Sequence, residues 1–314
     1  MRGRPVLSSA FSIGLTLCAV PLEAQDIAAV LAGTRGLFWK TIEKGINQAG
    51  ADLGVSIVIR SPVDDDPRTT ELNLQFKMVR SVLDAGARSL ILAPIPVHDL
   101  ATPIVYDVPV ILIDRPSTQF TALSTVATDN YASGRAAALS LRGRLPEGAK
   151  VGVFRLAPNV VSTTARESGF VDGAKTMGFE VVVDAYLGHG IREPEIAATA
   201  VLGTYQGRID ALFTPTDNVT LGVLRVLQGW PREKRPLLIG FDYKPGFELS
   251  LKDGNLYALV MQDPFRMGYT AVEQLVAFRA GRQIPKEVTI DAVVVTAANL
   301  DDANIRAALS RSHE

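Results

Sequence analysis

Two apolar runs in this chain end abruptly in ionisable side chains. Val108-Pro109-Val110-Ile111-Leu112-Ile113 runs into Asp114 and Arg115, and Leu237-Leu238-Ile239-Gly240-Phe241 runs into Asp242. Runs of branched apolar residues read as strands buried on both faces, in the middle of a parallel sheet. In open α/β sheets, ligands bind beyond the carboxyl ends of the strands. Asp114, Arg115 and Asp242 therefore fall where such a sheet exposes its crevice. Two sheets facing each other would enclose a cleft lined with hydrogen-bonding groups.

The elements that must position these groups alternate along the chain. Strand-like Ile27–Ala32, Val55–Ile59, Ser89–Ala93 and Val110–Ile113 are separated by helical patterns, the clearest with Phe38, Ile42, Ile46, Ala49 and Leu53 on one face. Asp66-Pro67 reads as an N-cap followed by a first-turn proline, and Asp64-Asp65-Asp66 as a solvated loop leading to it. After Thr125-Val126-Ala127-Thr128 a second series begins. Helices 131–145, 163–177, 193–205 and 219–228 alternate with strands 151–154, 181–184, 211–214 and 237–241. A short helix, the segment Ala258–Met261, helix Phe265–Ala280, strand Val288–Val295 and a charged, helical tail complete the pattern. This βα alternation predicts α/β architecture, and two sets of about five strands fit better than one sheet of ten.

Composition narrows the function. Arg2 and Arg4, the apolar stretch Val6–Val20, and Pro21-Leu22-Glu23-Ala24-Gln25 read as a secretory signal, with cleavage near Ala24 or Gln25. The single cysteine, Cys18, lies inside it and fits a lipoprotein box badly, so the exported chain carries no thiol chemistry. A formal net charge of −1 with scattered basic residues argues against nucleic acid. No later apolar run reaches the length of a membrane span.

At this point the residues resemble the type I periplasmic binding proteins for sugars, the ribose- and galactose-binding group. The same fold serves as the effector domain of lac-repressor-type regulators. The likeness covers roughly Ile27 to Thr296. Leu37-Phe38-Trp39 resembles the aromatic opening of the family's first helix, and Glu43-Lys44-Gly45 its charged-Gly turn. Asp84–Pro94, Val110–Arg115, Thr128–Gly134 and Arg166–Phe170 resemble further landmarks, as do Thr216-Asp217, Gly240-Phe241-Asp242 and Gln262-Asp263-Pro264, all in the family's order. The resemblance implies two doubly wound parallel-sheet lobes joined by a multi-strand hinge near Thr128, Met261-Gln262 and the approach to Val293. It divides the chain into a signal peptide (1–25), an N-terminal lobe (26–127 plus 262–290), a C-terminal lobe (128–261 plus 291–300) and a C-terminal tail (301–314). It also implies a ligand clamped by lobe closure.

A sugar offers hydroxyls in fixed directions and faintly apolar ring faces. On the matching positions, Asp114 and Asp242 would accept from hydroxyls, Arg115 and Arg166 would donate in planar forks, and Asn130 and Gln262 would do both. Phe38, Trp39 and Phe241 offer faces for stacking, and Thr216 takes the place of a family Asn. Arg35 and Thr128 are secondary candidates. Asp242 has a second reading as an N-cap, Asp129 reads as a cap or hinge residue, and Asp217 as structural. The family's Asn before the first-helix aromatics is replaced by Gly36, with Arg35 beside it. Three arginines against two carboxylates leave a neutral sugar or polyol and an anionic solute both open.

Enzyme readings find little support. His98, His189 and His313 are far apart, with no HExxH, no G-x-S-x-G elbow, and no P-loop or G-x-G-x-x-G after a strand. Asp114 and Asp242 could face each other as a glycosidase pair, but arginines that hold both ionised would leave neither a good general acid. The expected role is a monomeric periplasmic solute-binding protein, without cofactor or metal, that delivers its ligand to an ABC permease. The alternative is a sensor that docks on a membrane histidine kinase or chemoreceptor. A transcriptional regulator is opposed by the signal and by the lack of N-terminal DNA-binding helices.

Overall fold

The computed structural model describes residues 26–34, 36–63, 72–95, 102–158, 160–190 and 192–313. The signal segment, Arg35, the Asp64-Asp65-Asp66 loop with its Asp66-Pro67 cap, and His98 lie outside them. In chain order the elements are β1 (Ile27–Val30), α1 (Leu37–Leu53), β2 (Ile57–Arg60), α2 (Leu72–Asp84), β3 (Leu90–Leu92), β4 (Val110–Ile113) and β5 (Ser124–Ala127). Then come α3 (Asn130–Leu139), β6 (Lys150–Arg155), α4 (Val161–Thr176), β7 (Glu180–Tyr186), α5 (Arg192–Leu202), β8 (Ala211–Phe213), α6 (Asp217–Gln228) and β9 (Leu237–Phe241). The chain ends with α7 (Phe247–Lys252), β10 (Ala258–Met261), α8 (Pro264–Arg279), β11 (Glu287–Thr289), β12 (Val293–Thr296) and α9 (Ala303–His313).

Among the described residues these strands form two six-stranded sheets, ordered β11-β5-β4-β3-β1-β2 and β12-β10-β9-β8-β6-β7. The first is parallel throughout; in the second, β12 alone runs antiparallel, on the edge beside β10. Both are doubly wound with the same strand order, so each has its topological switch point beside its first strand. The period-2 alternation of a strand explains the core. Ile27, Ala29 and Leu31 pack on one side of the first sheet with residues of α1 and α8, while Ala28 and Val30 pack on the other with residues of α2. In the second sheet, Phe213, Ile239 and Phe241 face α3 and α4, while Leu212 and Leu238 face α5, α6 and α7. No helix among the described residues is long and apolar enough to cross a membrane.

Three sequence expectations are corrected. The run read as one strand, Val288–Val295, is two strands in different sheets. β11 pairs with β5, Ile290 donates to the Ala127 carbonyl, and Val293 pairs with Met261 of β10. Because both halves are β-branched and both are paired, the pattern does not show the change of sheet. The helix expected over 131–145 stops at Leu139, and the chain then turns through Gly143 at φ 73°, a left-handed conformation natural to glycine. The third correction is the strand count: six per lobe rather than about five, because β11 and β12 each extend a sheet.

Among the described residues the chain passes between the sheets at three places: Thr128-Asp129, Gln262-Asp263, and Ile290-Asp291-Ala292.

Candidate functional site

A cavity of about 520 Å³ lies between the lobes, at the carboxyl ends of both sheets. From the first lobe it is lined by the start of α1 and by Asp114-Arg115 at the end of β4; from the second, by the start of α4, the β7–α5 loop, Thr216 and Asp242. Gln262, on one of the crossings, lines it as well.

Asp114 and Asp242 are the only non-glycine residues among those described with positive φ, at 67° and 64°. Each follows the fourth strand of its sheet and still donates its backbone N–H to the next strand, Asp114 to Val126 and Asp242 to Val260, both at 2.9 Å. The left-handed turn comes immediately after that bond. Aspartate tolerates this conformation better than most residues, and strain of this kind gathers at functional sites.

The second-lobe half is built by contacts distant in sequence. Arg166 of α4 is 3 % exposed, and its guanidinium lies 3.9 Å from the centroid of the Phe241 ring. Its Nη1 donates to Asp242 Oδ2 at 3.1 Å and to the Pro215 carbonyl at 2.9 Å; its Nε donates to Asn130 Oδ1 at 2.7 Å. Gln262 Nε2 donates to the other Asp242 oxygen at 2.7 Å. The close fit of α3 on α4 makes this possible: a side chain at Gly134 would collide with the Arg166 backbone, and one at Gly169 with that of Tyr131. Burial nevertheless pushes the Asp242 carboxyl up to about 6 against the pull of Arg166 and Gln262. At Asp242, therefore, loss of solvation outweighs the ion pair.

The first-lobe half starts from a pair adjacent in sequence. Arg115 Nε stands 3.2 Å from Oδ2 of its own neighbour Asp114, and its guanidinium is 5.6 Å from the Trp39 ring centroid. Trp39 is 3 % exposed and meets Phe38 edge-on at 5.2 Å. Both aromatics reach the cavity, Trp39 from the core and Phe38 from a half-buried position. Gly36 precedes them at φ 90°, ψ 154°, a conformation essentially reserved for glycine, so the residue that replaces the family's Asn also fits the backbone.

Three predicted contacts do not reach the cavity wall. Phe241 is 0 % exposed: strand alternation turns its ring toward α4, where it underlies Arg166 rather than facing a ligand. Asn130 is buried behind Arg166, held by that residue and by the Thr128 carbonyl. Thr128 itself is buried in the crossing. Asp242 does not cap α7, whose N-cap is Gly246, whereas Asp129 does cap α3, accepting from Ala132 N at 2.8 Å. Thr216 lines the cavity and caps α6 through Val219 N at 3.4 Å.

The structure adds residues that sequence reasoning passed over. His189, on the β7–α5 loop, lines the cavity, as does Lys244, whose Nζ pairs with Asp217 Oδ2 at 2.8 Å. Asp217, read as structural, is therefore both an ion-pair partner and part of the wall. Beneath them Glu167 is 0 % exposed, accepting from Leu156 N at 3.0 Å and Arg155 Nη1 at 3.1 Å, and burial pushes its carboxyl up to about 7. No spacing marks Glu167; the only signal is a charge among the small residues of a buried helix face. Nor does any marks Lys244, which follows Asp242 by two positions.

Two cavity-facing helices, α1 and α4, start without a side-chain cap, whereas α3, α6 and α8 are capped by Asp129, Thr216 and Asp263. The whole arrangement can grip a compact, hydroxyl-rich solute by carboxylate, guanidinium and amide groups from both sides.

Residues 27–283 match the family model described as a periplasmic binding protein domain. The chain is similar to the ribose import binding protein RbsB of Haemophilus influenzae, 24% identical over 94% of this chain and all of that protein. It is also similar to RbsB of Bacillus subtilis, 26% identical over 80% of this chain and 81% of that one. Among solved structures, a carbohydrate transporter solute-binding protein of Agrobacterium radiobacter in complex with D-arabinose superposes with a TM-score of 0.79, at 25% identity, covering 91% of this chain and 98% of that one. With its paired doubly wound lobes and interlobe cavity, the chain belongs to the periplasmic binding protein family.

Proposed function

We propose that this protein captures a small neutral sugar or polyol between its lobes in the periplasm and delivers it, as a monomer, to an ABC importer. The observation that carries the reading is the pair of left-handed aspartates, one per lobe, each ion-paired to an arginine and facing one cavity. The named relatives bind ribose, and the Agrobacterium protein holds D-arabinose. Pairing at the wall favours a neutral ligand: Asp114 is matched by Arg115, Asp242 by Arg166 and Asp217 by Lys244, which leaves the exposed Arg192 as the one arginine or lysine in excess among the described lining residues. An anionic group would have to compete with carboxylates already in place.

In this reading residues 26–127 with 262–290 close against 128–261 with 291–300. Phe38, Trp39, Asp114, Arg115, Arg166, Thr216, Asp242 and Gln262 contact the ligand, while Asn130 and Phe241 hold Arg166. The protein binds without turning its ligand over, and residues 1–25 direct export, so the mature chain begins near Gln25 or Asp26. N-terminal sequencing of periplasmic protein checks the last point.

The decisive experiment is thermal denaturation with matched pairs, such as D-ribose against ribonate and D-arabinose against arabinonate, followed by calorimetry on any hit. A ligand that binds the folded state raises the melting temperature by mass action. The neutral member of a pair is expected to shift it and the acid is not. The reverse preference overturns the neutral reading, and silence across aldoses, ketoses and polyols overturns the sugar reading.

A further inference from the structure

We propose that the C-terminal helix α9 is a non-covalent strap joining the two lobes, and that Arg311 is the positioning residue that fastens it. The helix is rooted in the second lobe: Ile305 and Leu309 are buried with Leu300 in the same core as Phe247 and Leu251 of α7. Arg306, one turn before the crossing, stands 3.7 Å from Glu248 of α7.

The last turn then leaves that lobe. Arg311 Nη2 donates to Asp263 Oδ2 at 2.7 Å, and its guanidinium lies 5.4 Å from the centroid of the Phe265 ring. Lys44 of α1 donates to the Arg311 carbonyl at 3.5 Å. Phe265 and Lys44 sit on α8 and α1, whose buried residues share the first-lobe core. These helices meet so closely that a side chain at Gly45 would collide with the Phe265 backbone. Ser312, next in sequence, is buried on the cavity wall, so the end of the strap also lines the cleft.

The fastening point is significant. Asp263 caps α8 with Oδ1, accepting from Arg266 N at 3.0 Å, while Oδ2 holds Arg311. It directly follows Gln262, which holds Asp242 from the same crossing. The three covalent crossings can bend if the lobes move, whereas the single hydrogen bond from Arg311 Nη2 is lost once its partners separate. An Arg–carboxylate bond stacked on a ring is a defined two-state element of this kind. The strap therefore biases the arrangement of the lobes whichever solute the cavity takes, so the inference stands apart from the identity of the ligand.

Pulsed electron–electron distance measurement tests it without any added solute. Spin labels are placed at Ala51→Cys on α1 and Lys175→Cys on α4, both exposed, in a Cys18→Ser background that removes the chain's one native cysteine. Arg311→Ala is expected to broaden the interlobe distance distribution and move its mean. Arg306→Ala, which breaks a contact inside the second lobe, is expected to reproduce the parent distribution. An unchanged distribution in Arg311→Ala overturns the strap. Equal broadening in Arg306→Ala overturns it too, because the effect would then be loosening of the helix rather than loss of a tie between lobes.

Discussion

The two lobes end their fourth strands in the same way and furnish those ends differently. At Asp114 and at Asp242 the backbone makes its last sheet hydrogen bond at 2.9 Å and turns left-handed. Asp114 then meets the next residue in the chain, an arginine whose side chain is 14% exposed. Asp242 meets an arginine 76 positions away whose side chain is 4% exposed, walled in by a ring, an amide and a carbonyl. One half of the site is thus walled in around a guanidinium 4% exposed, and the other carries its arginine nearer to solvent, beside its neighbour in sequence and the Trp39 ring. Rigid prearrangement lowers the ordering cost of binding. The second lobe is therefore expected to present the docking face, with the first lobe closing onto it.

The largest test of this asymmetry is Arg166→Ala against Arg115→Ala. Removing Arg166 strands the Asp242 carboxylate and Asn130 Oδ1 in a buried place, which costs on the order of 3–5 kcal/mol of stability. Removing Arg115, whose side chain is 14% exposed, is expected to cost less, on the order of 1–2 kcal/mol. Denaturant unfolding of the ligand-free proteins measures both. Equal losses would erase the distinction between the halves.

The aspartates come next. Asp114→Ala and Asp242→Ala are each expected to weaken sugar binding by about 2–5 kcal/mol, since each removes a charged acceptor from a closed site. They part in the ligand-free protein, where only Asp242→Ala leaves a deeply buried guanidinium short of its partner and lowers the melting temperature. Calorimetry showing unchanged affinity in both would remove the aspartates from the site.

The asymmetry also decides what sequence could show. The α/β class, the βα alternation and Asp114-Arg115 were legible because periodicity and adjacency are local properties. Arg166 was placed by its motif, not by any spacing that joins it to Asp242. Its neighbours were harder: Phe241 reads as a flat face for a ligand until strand alternation turns it toward α4, and Asn130 reads as a contact until Arg166 occupies its oxygen. Lys244 and His189 lie on loops, where no period applies, and Glu167 carries a charge into a helix face that patterning assigns to the core. Sequence reports which elements exist; which of them touch across long separations is settled by packing, and the second-lobe half is made of such contacts.

Protonation gives a third, smaller contrast. Glu167 and Asp242 have carboxyls raised by burial to about 7 and about 6, from ordinary values of 4.5 and 3.8. A raised acid holds its proton more tightly in the folded state, so its stabilising effect is complete below the ordinary value and is lost as pH rises through the folded one. Ligand-free protein is therefore expected to gain stability on acidification from above 7 toward the ordinary values. Sugar affinity is expected to move the opposite way below about 6, because protonated Asp242 accepts fewer hydroxyls. Glu167→Gln should flatten the stability slope and leave the affinity slope in place. Melting curves and calorimetry across this range check both, and parallel slopes would show that one group governs both effects.

The smallest expected effect separates capping from contact at Thr216. Its hydroxyl accepts from Val219 N at the start of α6 and also faces the cavity, whereas α1, across the cleft, begins with no side-chain cap. Losing an N-cap costs about 1 kcal/mol, and a contact as long as 3.4 Å belongs at the weak end of that range. Thr216→Val keeps the shape and removes the hydroxyl. Should it cost stability alone, Thr216 serves the helix and the second lobe offers its ligand only buried, charge-paired groups. A loss of affinity beyond the loss of stability would make the hydroxyl a ligand contact. We expect the second outcome, because a hydroxyl that accepts one long hydrogen bond still has a proton to donate and a lone pair to share. Comparing the two losses in a single variant, by unfolding and by calorimetry, decides it, and Thr216→Ser, which restores the hydroxyl, should recover both.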